Sequence, residues 1–468
     1  MVVSAATQEE APLARTIGRK VLLLFVVGDI LGAGIYALTG TVAGQVGGAV
    51  WVPFLVAFSL ATLTAASYVE LVGKYPQAAG AALYAHRAFR RPFVTFLVGF
   101  AVMMSGITSA SAAARAFGGD YLAEFVSIPT VVAAWAFLLL VTAINLVGIS
   151  ESVRVNVTLT LIEVTGLLVI VAIGIWSLAT GEGDPARAMQ LEPQSGSALL
   201  AVLGGTALAF YALLGFEDSV NLAEECQDPR RDFPRALFTG LAITGVIYLA
   251  VAFTSSMVVE TETLVESTGP LLEVVKAAGL AFPPWLFALI ALLAVANTAL
   301  INMIMASRLV YGMAREGIVP RVLGRVHRSR QTPWVAIAFT LAVALTLVST
   351  GDLAGLADTT VLLLLLVFAV VNVSVLVLRR DRSDDQRPDH FRAPTWAPVL
   401  GLVVSLVLAS PLTGREADVY VRAGVLLAIG VVLHLVNRAL GGTHEPAEDG
   451  ARPADDGASR GPADTPAP

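Results

Sequence analysis

Cysteine is almost absent from this chain: Cys226 is the only one in 468 residues. That excludes an intrachain disulfide and any metal site built from a cysteine cluster. Charged residues are scarce as well, at 14% of the chain, against about 25% in an ordinary soluble domain. Lysine is rare beside arginine, and the net charge of −6 says less than where the charges sit. The five histidines offer no metal-ligand spacing. His86 is expected in a solvated loop, and His327 and His434 stand alone. No nucleophile–base pair, metal-ligand cluster or phosphate loop occurs in a fitting context. The chain is therefore not expected to be an enzyme, to hold a cofactor or metal, or to bind nucleic acid.

Apolar residues fill the sequence instead. They make up 56% of it, with a mean hydropathy of +0.76, and they come in long blocks. A bilayer is crossed by about 20 apolar residues, so the fold class expected is an all-α polytopic membrane protein. Twelve transmembrane helices are expected, at about 21–44, 49–72, 93–115, 128–148, 157–180, 198–217, 236–258, 284–307, 334–350, 355–378, 396–412 and 421–440. Residues 1–20 form an N-terminal segment ahead of them. The first apolar run exceeds the 7–15 residues, roughly, of a signal-peptide core, so it is expected to stay as the first span. Gly47-Gly48 and Gly351-Asp352 mark tight turns, residues 259–283 are long enough for a short external helix, and 441–468 read as a disordered tail.

Basic residues set the orientation. Arg15, Arg19 and Lys20 precede span 1. Lys74, Arg87, Arg90 and Arg91 follow span 2, and Arg230, Arg231 and Arg235 follow span 6. Arg315 to Arg330 follow span 8, and Arg379 to Arg392 follow span 10. The alternate loops are acidic or sparse, so both termini are expected in the cytoplasm. The arginines at 230–231 and 308–330 are expected to be orientation signals and lipid-headgroup contacts.

Two of the spans are interrupted. Span 1 contains Gly28-Asp29-Ile30-Leu31-Gly32-Ala33-Gly34-Ile35-Tyr36, with glycines on both sides of Ala33 and a carboxylate one turn away. Span 6 contains Phe210-Tyr211-Ala212-Leu213-Leu214-Gly215-Phe216-Glu217. A helix broken inside the bilayer strands backbone N–H and C=O groups, which membranes tolerate only where these face protein or line a wet cavity. Spans 1 and 6 each begin a set of five if the chain divides as five, five and two, and paired breaks at matching places point to a transporter site. The half-helix after the span 1 break begins near the midplane, and its free amides favour an anion. The half-helix before the span 6 break ends there, and its free carbonyls favour an ammonium group. Together they suit the two charged groups of an amino acid. Two blander readings compete: glycines that serve only close helix packing, and a dinucleotide loop at Gly32-x-Gly34-x-x-Ala37, which lacks the preceding strand.

These residues resemble the amino acid–polyamine–organocation permeases, most closely bacterial amino acid permeases of the cationic amino acid transporter branch, over about residues 15–440. Besides the span 1 run, the motifs are Pro76-Gln77-Ala78-Ala79-Gly80 through Tyr84; Gly215-Phe216-Glu217 continuing through Ala223-Glu224-Glu225 to Pro229–Ala236; and Ser307-Arg308 through Arg315-Glu316-Gly317. The resemblance implies two inverted five-helix repeats, 21–180 and 198–378, two further C-terminal helices at 396–440, and alternating access. It places substrate contacts on Ile30, Gly32, Ala33 and Gly34 in span 1. In span 6 it gives carbonyls to Tyr211 and Ala212 and makes Leu214 a wall of the pocket. Contacts from spans 3 and 8 are not placed. Some relatives carry a span 5 lysine in place of a sodium ion. Aligning the Gly148–Asn156 stretch puts Glu163 near that position.

Asp29 and Glu163 are the carboxylates deepest in apolar sequence and the coupling candidates, since intramembrane acids are functional by default. The structural alternatives are Asp29 bonding the amides of the break and Glu163 satisfied by a neighbouring helix. Glu70 and Glu217 are expected to pair with loop arginines, and Asn145, Asn297 and Asn302 to tie helices together, with Asn297 the one to test. The function expected is import of an amino acid or related amine across the plasma (inner) membrane, coupled to H+. A sodium symporter, an antiporter and a membrane sensor with a permease fold are the alternatives. The sequence leaves the substrate and the oligomeric state open, because small apolar residues at the break favour a neutral side chain while Asp29 favours a cation.

Overall fold

A computed structural model describes residues 17–77, 80–147, 153–193, 196–280, 282–327, 330–380 and 390–439. The N-terminal residues through Arg15, Ala78 and Ala79 of the second motif, residues 148–152, Arg328, Arg382, Arg387 and the tail 441–468 lie outside this range, as do the side chains of Arg154 and Asn156.

The described residues are almost entirely helical. Span 1 is two helices, α1 (Arg19–Ile30) and α2 (Ala33–Val46), separated at Leu31-Gly32. Then come α3 (Trp51–Lys74), α4 (Gly80–Phe89), α5 (Pro92–Phe117), the single turn α6 (Asp120–Ala123), α7 (Thr130–Val147), α8 (Val153–Thr180) and the single turn α9 (Pro185–Ala188). α10 (Ala198–Ala212) is followed by a 3-10 helix, Asp218–Glu225, and by α11 (Pro229–Val258). The second half continues with α12 (Thr261–Glu266), α13 (Pro270–Ala277), α14 (Pro284–Arg315), α15 (Trp334–Thr350), α16 (Leu353–Leu378), α17 (Trp396–Ala409) and α18 (Ala417–Ala439). Among the described residues nine helical stretches, counting α1 with α2, are long and apolar enough to cross a membrane, and α10, α15 and α17 are shorter apolar helices.

The termini follow local chemistry. Proline stands at the first helical position of α5, α9, α11 and α14, where its missing N–H costs nothing. Asp352 Oδ1 accepts from Gly355 N–H at 3.1 Å to cap α16, and Ser197 Oγ caps α10 through Leu200 N–H. Gly47 ends α2 at φ +71°, and a Cβ on Gly48 would meet the Arg187 carbonyl at 1.9 Å, so the expected tight turn also admits the α9 segment. His86 lies in helix α4, not in a loop, with its Nδ1 3.4 Å from Thr95 Oγ1. The 259–283 segment carries two short helices where one was expected.

Large apolar side chains such as Leu140, Ile175, Trp176, Val421 and Val432 are exposed on the outer surface. In water such a surface would drive association, whereas in a bilayer it is the lipid contact. The polar residues turn inward instead. Asn145 donates to Ser307 Oγ at 3.3 Å, tying α7 to α14, and Ser67 donates to Asn372 Oδ1 at 2.7 Å, tying α3 to α16. Glu70 on α3 meets Arg379 at the end of α16 in a two-pronged ion pair, with Arg379 Nε donating to Oε1 at 2.7 Å. The Ala393 N–H donates to the same carboxylate at 2.8 Å. The expected loop-arginine partner for Glu70 is thus present.

Candidate functional site

The two interruptions meet at one cavity of about 110 Å³, roughly tenfold the 10–15 Å³ or so that one water needs. Ile30, Gly32, Ala33, Gly34, Tyr211, Ala212 and Leu214 all line it, and Asp29 joins them. The breaks touch each other directly. A Cβ on Gly34 would fall 2.4 Å from Ala212 Cα, and one on Gly215, at φ +114°, would fall 2.4 Å from the Asp29 carbonyl oxygen. Both glycines permit backbone-to-backbone approach. The packing reading of Gly34 therefore holds alongside its place on the cavity wall.

The backbone at the span 1 break is partly satisfied by neighbours. Tyr248 Oη on α11 donates to the Ile30 carbonyl at 2.8 Å, and Gly32 N–H donates to the same oxygen at 2.9 Å. Ala33 N–H donates to Thr298 Oγ1 on α14 at 3.1 Å. The N-cap residue of α2 is Gly32, which has no side chain to offer. The next two amides, Gly34 and Ile35, have no protein acceptor among the described residues. Tyr36 N–H likewise has none among the described residues, and of these three only Gly34 is on the cavity wall.

At the other break, α10 stops at Ala212 and tightens. Leu213 N–H donates to the Phe210 carbonyl at 3.1 Å and Leu214 N–H to the Tyr211 carbonyl at 3.3 Å. Tyr211 is therefore not a bare carbonyl. That of Ala212 accepts no hydrogen bond among the described residues. The chain continues as turns and a 3-10 helix, so α10 ends at Ala212, short of the 217 expected for span 6.

Further walls come from α5 and α14, with Tyr68 of α3, Ala81 of α4 and Thr360 of α16. Ser109 Oγ lies 3.1 Å from Tyr211 Oη, and Ser105, Gly106, Thr298 and Asn302 face the same space. Sequence alone could not place them, since nothing local in α5 or α14 tells which of several small polar residues faces inward. Glu217 is a correction. It pairs with no arginine among the described residues, and its Oε2 accepts from Gly215 N–H at 2.9 Å, inside the cavity wall. Asp218 lines the wall as well.

Glu163 lies outside this wall. It is 1% exposed on α8, where Asn297 Nδ2 donates to its Oε1 at 3.5 Å and Tyr36 Oη donates to its backbone carbonyl at 2.9 Å. Asn297 faces Glu163, and its neighbour Thr298 faces the cavity. One turn of α14 therefore joins the buried acid to the break.

The family model described as Amino acid permease matches residues 17–433. The chain belongs to the amino acid permease family. It is 25% identical over 453 residues to the Branched-chain amino acid permease BcaP of Bacillus subtilis (strain 168), covering 92% of this chain and 95% of that relative. It is 26% identical over 461 residues to Cationic amino acid transporter 9, chloroplastic, of Arabidopsis thaliana, covering 90% of this chain and 76% of the relative. The Methylthioribose transporter of B. subtilis is 24% identical over 451 residues, covering 92% and 95%. The resemblance drawn from the motifs is thereby borne out, and the permease is a multi-pass membrane protein of a transporter family.

Proposed function

We propose that this permease is a secondary active transporter that moves an amino acid or related amine across the plasma membrane by alternating access, with H+ as the coupling ion. In this reading both termini face the cytoplasm, and the twelve spans divide into two inverted repeats of five, 21–180 and 198–378, followed by 396–440. The observation that carries the reading is the meeting of two helix interruptions at one cavity, an open amide on one side and a carbonyl on the other.

A carboxylate is received by the Gly34 amide at the positive end of α2. The amine faces the Ala212 carbonyl. Asp29, Glu217 and Asp218 give the wall three carboxylates, and no lysine, arginine or histidine is among the described lining residues. That charge favours a substrate carrying an ammonium group over one that is an anion overall. The walls from α5 and α14 meet the substrate's side chain. Glu163, buried behind the break, exchanges the coupled proton and communicates with the site through Asn297 and α2.

The test is uptake into proteoliposomes containing the purified permease. The substrates are the standard amino acids and their decarboxylated amines, under imposed H+ or Na+ gradients. Accumulation driven by an inward H+ gradient is expected. Drive by Na+ alone would replace the coupling ion, and no uptake or counterflow of any amino acid or amine would overturn the reading.

A further inference from the structure

The first four N–H groups of a helix lack intrahelical partners, and a polar N-cap side chain ordinarily accepts from the second or third of the residues that follow it. α2 begins differently. Its N-cap is a glycine, Gly32 N–H turns back to the Ile30 carbonyl, and Ala33 N–H is taken by Thr298 from a helix 265 positions away in sequence. The Thr298 hydroxyl donates its own proton to the Ala294 carbonyl at 3.2 Å, which leaves its oxygen free to accept. The fit is tight: a Cβ on Gly32 would meet Thr298 Oγ1 at 2.8 Å. The Thr298 carbonyl is fixed too, accepting from Asn302 Nδ2 at 2.9 Å. Thr298 thus clamps the start of α2 at its first amide and leaves the next one, that of Gly34 on the cavity wall, unoccupied.

We infer that Thr298 is a positioning residue for the substrate's carboxylate: by holding Ala33 N–H, it aims the Gly34 amide into the cavity. This deepens the transport reading above and rests on it. A hydroxyl at this point has a consequence that mere packing lacks. Its loss should weaken substrates that have a carboxylate and spare those that do not.

The experiment compares uptake of L-lysine and L-leucine with that of their decarboxylated counterparts, cadaverine and isoamylamine, by wild type, Thr298→Val and Thr298→Ser. Valine keeps the shape and removes the acceptor, and serine keeps the acceptor. For whichever amino acid the wild type transports, Thr298→Val should raise KM about tenfold with the maximal rate within twofold. The KM of the matching amine should move less than twofold, and Thr298→Ser should restore the amino acid KM to within twofold of wild type. If Thr298→Val does not fold, Thr298→Cys, a weak acceptor of similar size, carries the same expectation. Equal losses for amino acid and amine, or no loss for either, would overturn the positioning role and leave the transport reading standing. Wild-type failure to transport any of the four, and every other amino acid, would bring down both.

Discussion

Adding one methyl group at Gly34 is the sharpest perturbation of the geometry on which the site depends. The new Cβ in Gly34→Ala would lie 2.4 Å from Ala212 Cα and 2.8 Å from Ala212 Cβ, whereas ordinary contact begins at 3.4 Å. The obstacle is backbone, so no side-chain rotation relieves it. α2 and α10 must therefore part by about 1 Å. Overpacking of this kind costs about 1–3 kcal/mol, and it moves the unoccupied Gly34 amide away from the Ala212 carbonyl. Gly424→Ala, where the added carbon meets nothing within 4 Å, is the matched control in another membrane helix. Thermal unfolding of the detergent-purified variants, with KM measured in proteoliposomes, reads both effects. Gly34→Ala should unfold several degrees below wild type and show a KM raised about tenfold, the equivalent of about 1.4 kcal/mol. Gly424→Ala should match wild type in both. A Gly34→Ala protein indistinguishable from that control would mean that the breaks do not touch as described.

Three further outcomes are expected. Glu163→Gln should abolish the pH dependence of uptake while leaving substrate binding measurable by thermal shift, and an unchanged pH profile would remove Glu163 from the coupling step. Arg379→Met should destabilise the protein by about 3–5 kcal/mol, because it leaves the buried Glu70 carboxylate without its cation. The double variant Glu70→Gln with Arg379→Met should recover much of that loss in chemical unfolding, and equal losses would refute the pair's burial. Outside the membrane, Lys276 bridges Glu124 at 2.7 Å and Glu273 at 3.3 Å. Burial lowers the pKa of its ammonium group, but the two carboxylates outweigh this and hold it above the ordinary lysine value. The stabilisation is therefore present below the unfolded-state pKa and is lost as pH rises through the folded one. Lys276→Met should cost less than about 1 kcal/mol near neutrality, and the difference should vanish at strongly alkaline pH.

The membrane-crossing helices were legible because hydropathy is a local property, and so was the span 1 break. Glycines at 28, 32 and 34 weaken a helix wherever it is placed, and the structure parts α1 from α2 at Leu31-Gly32. What the sequence hid was contact across long separations. Thr298 is an ordinary helical residue until α14 lies beside Ala33, and Ser109 gains meaning only against Tyr211. In the sequence Glu217 lies near the cytoplasmic end of span 6, where a loop arginine is the natural partner. α10 ends five residues earlier, and the turn that follows brings the carboxylate to Gly215 N–H. Glu70 is legible because it lies one turn from the end of α3, where a cationic partner is within reach. Gly34 was ambiguous between packing and binding, and its surroundings show packing against Ala212 at the edge of the cavity.

A structure of the permease bound to whichever amino acid it transports most efficiently puts the central proposal to its most direct test. The substrate should occupy the space between the two breaks, its carboxylate within hydrogen-bonding reach of the Gly34 amide and its amine facing the Ala212 carbonyl. A substrate seated elsewhere, with helix continuing unbroken through Leu31 and Gly32, would contradict it.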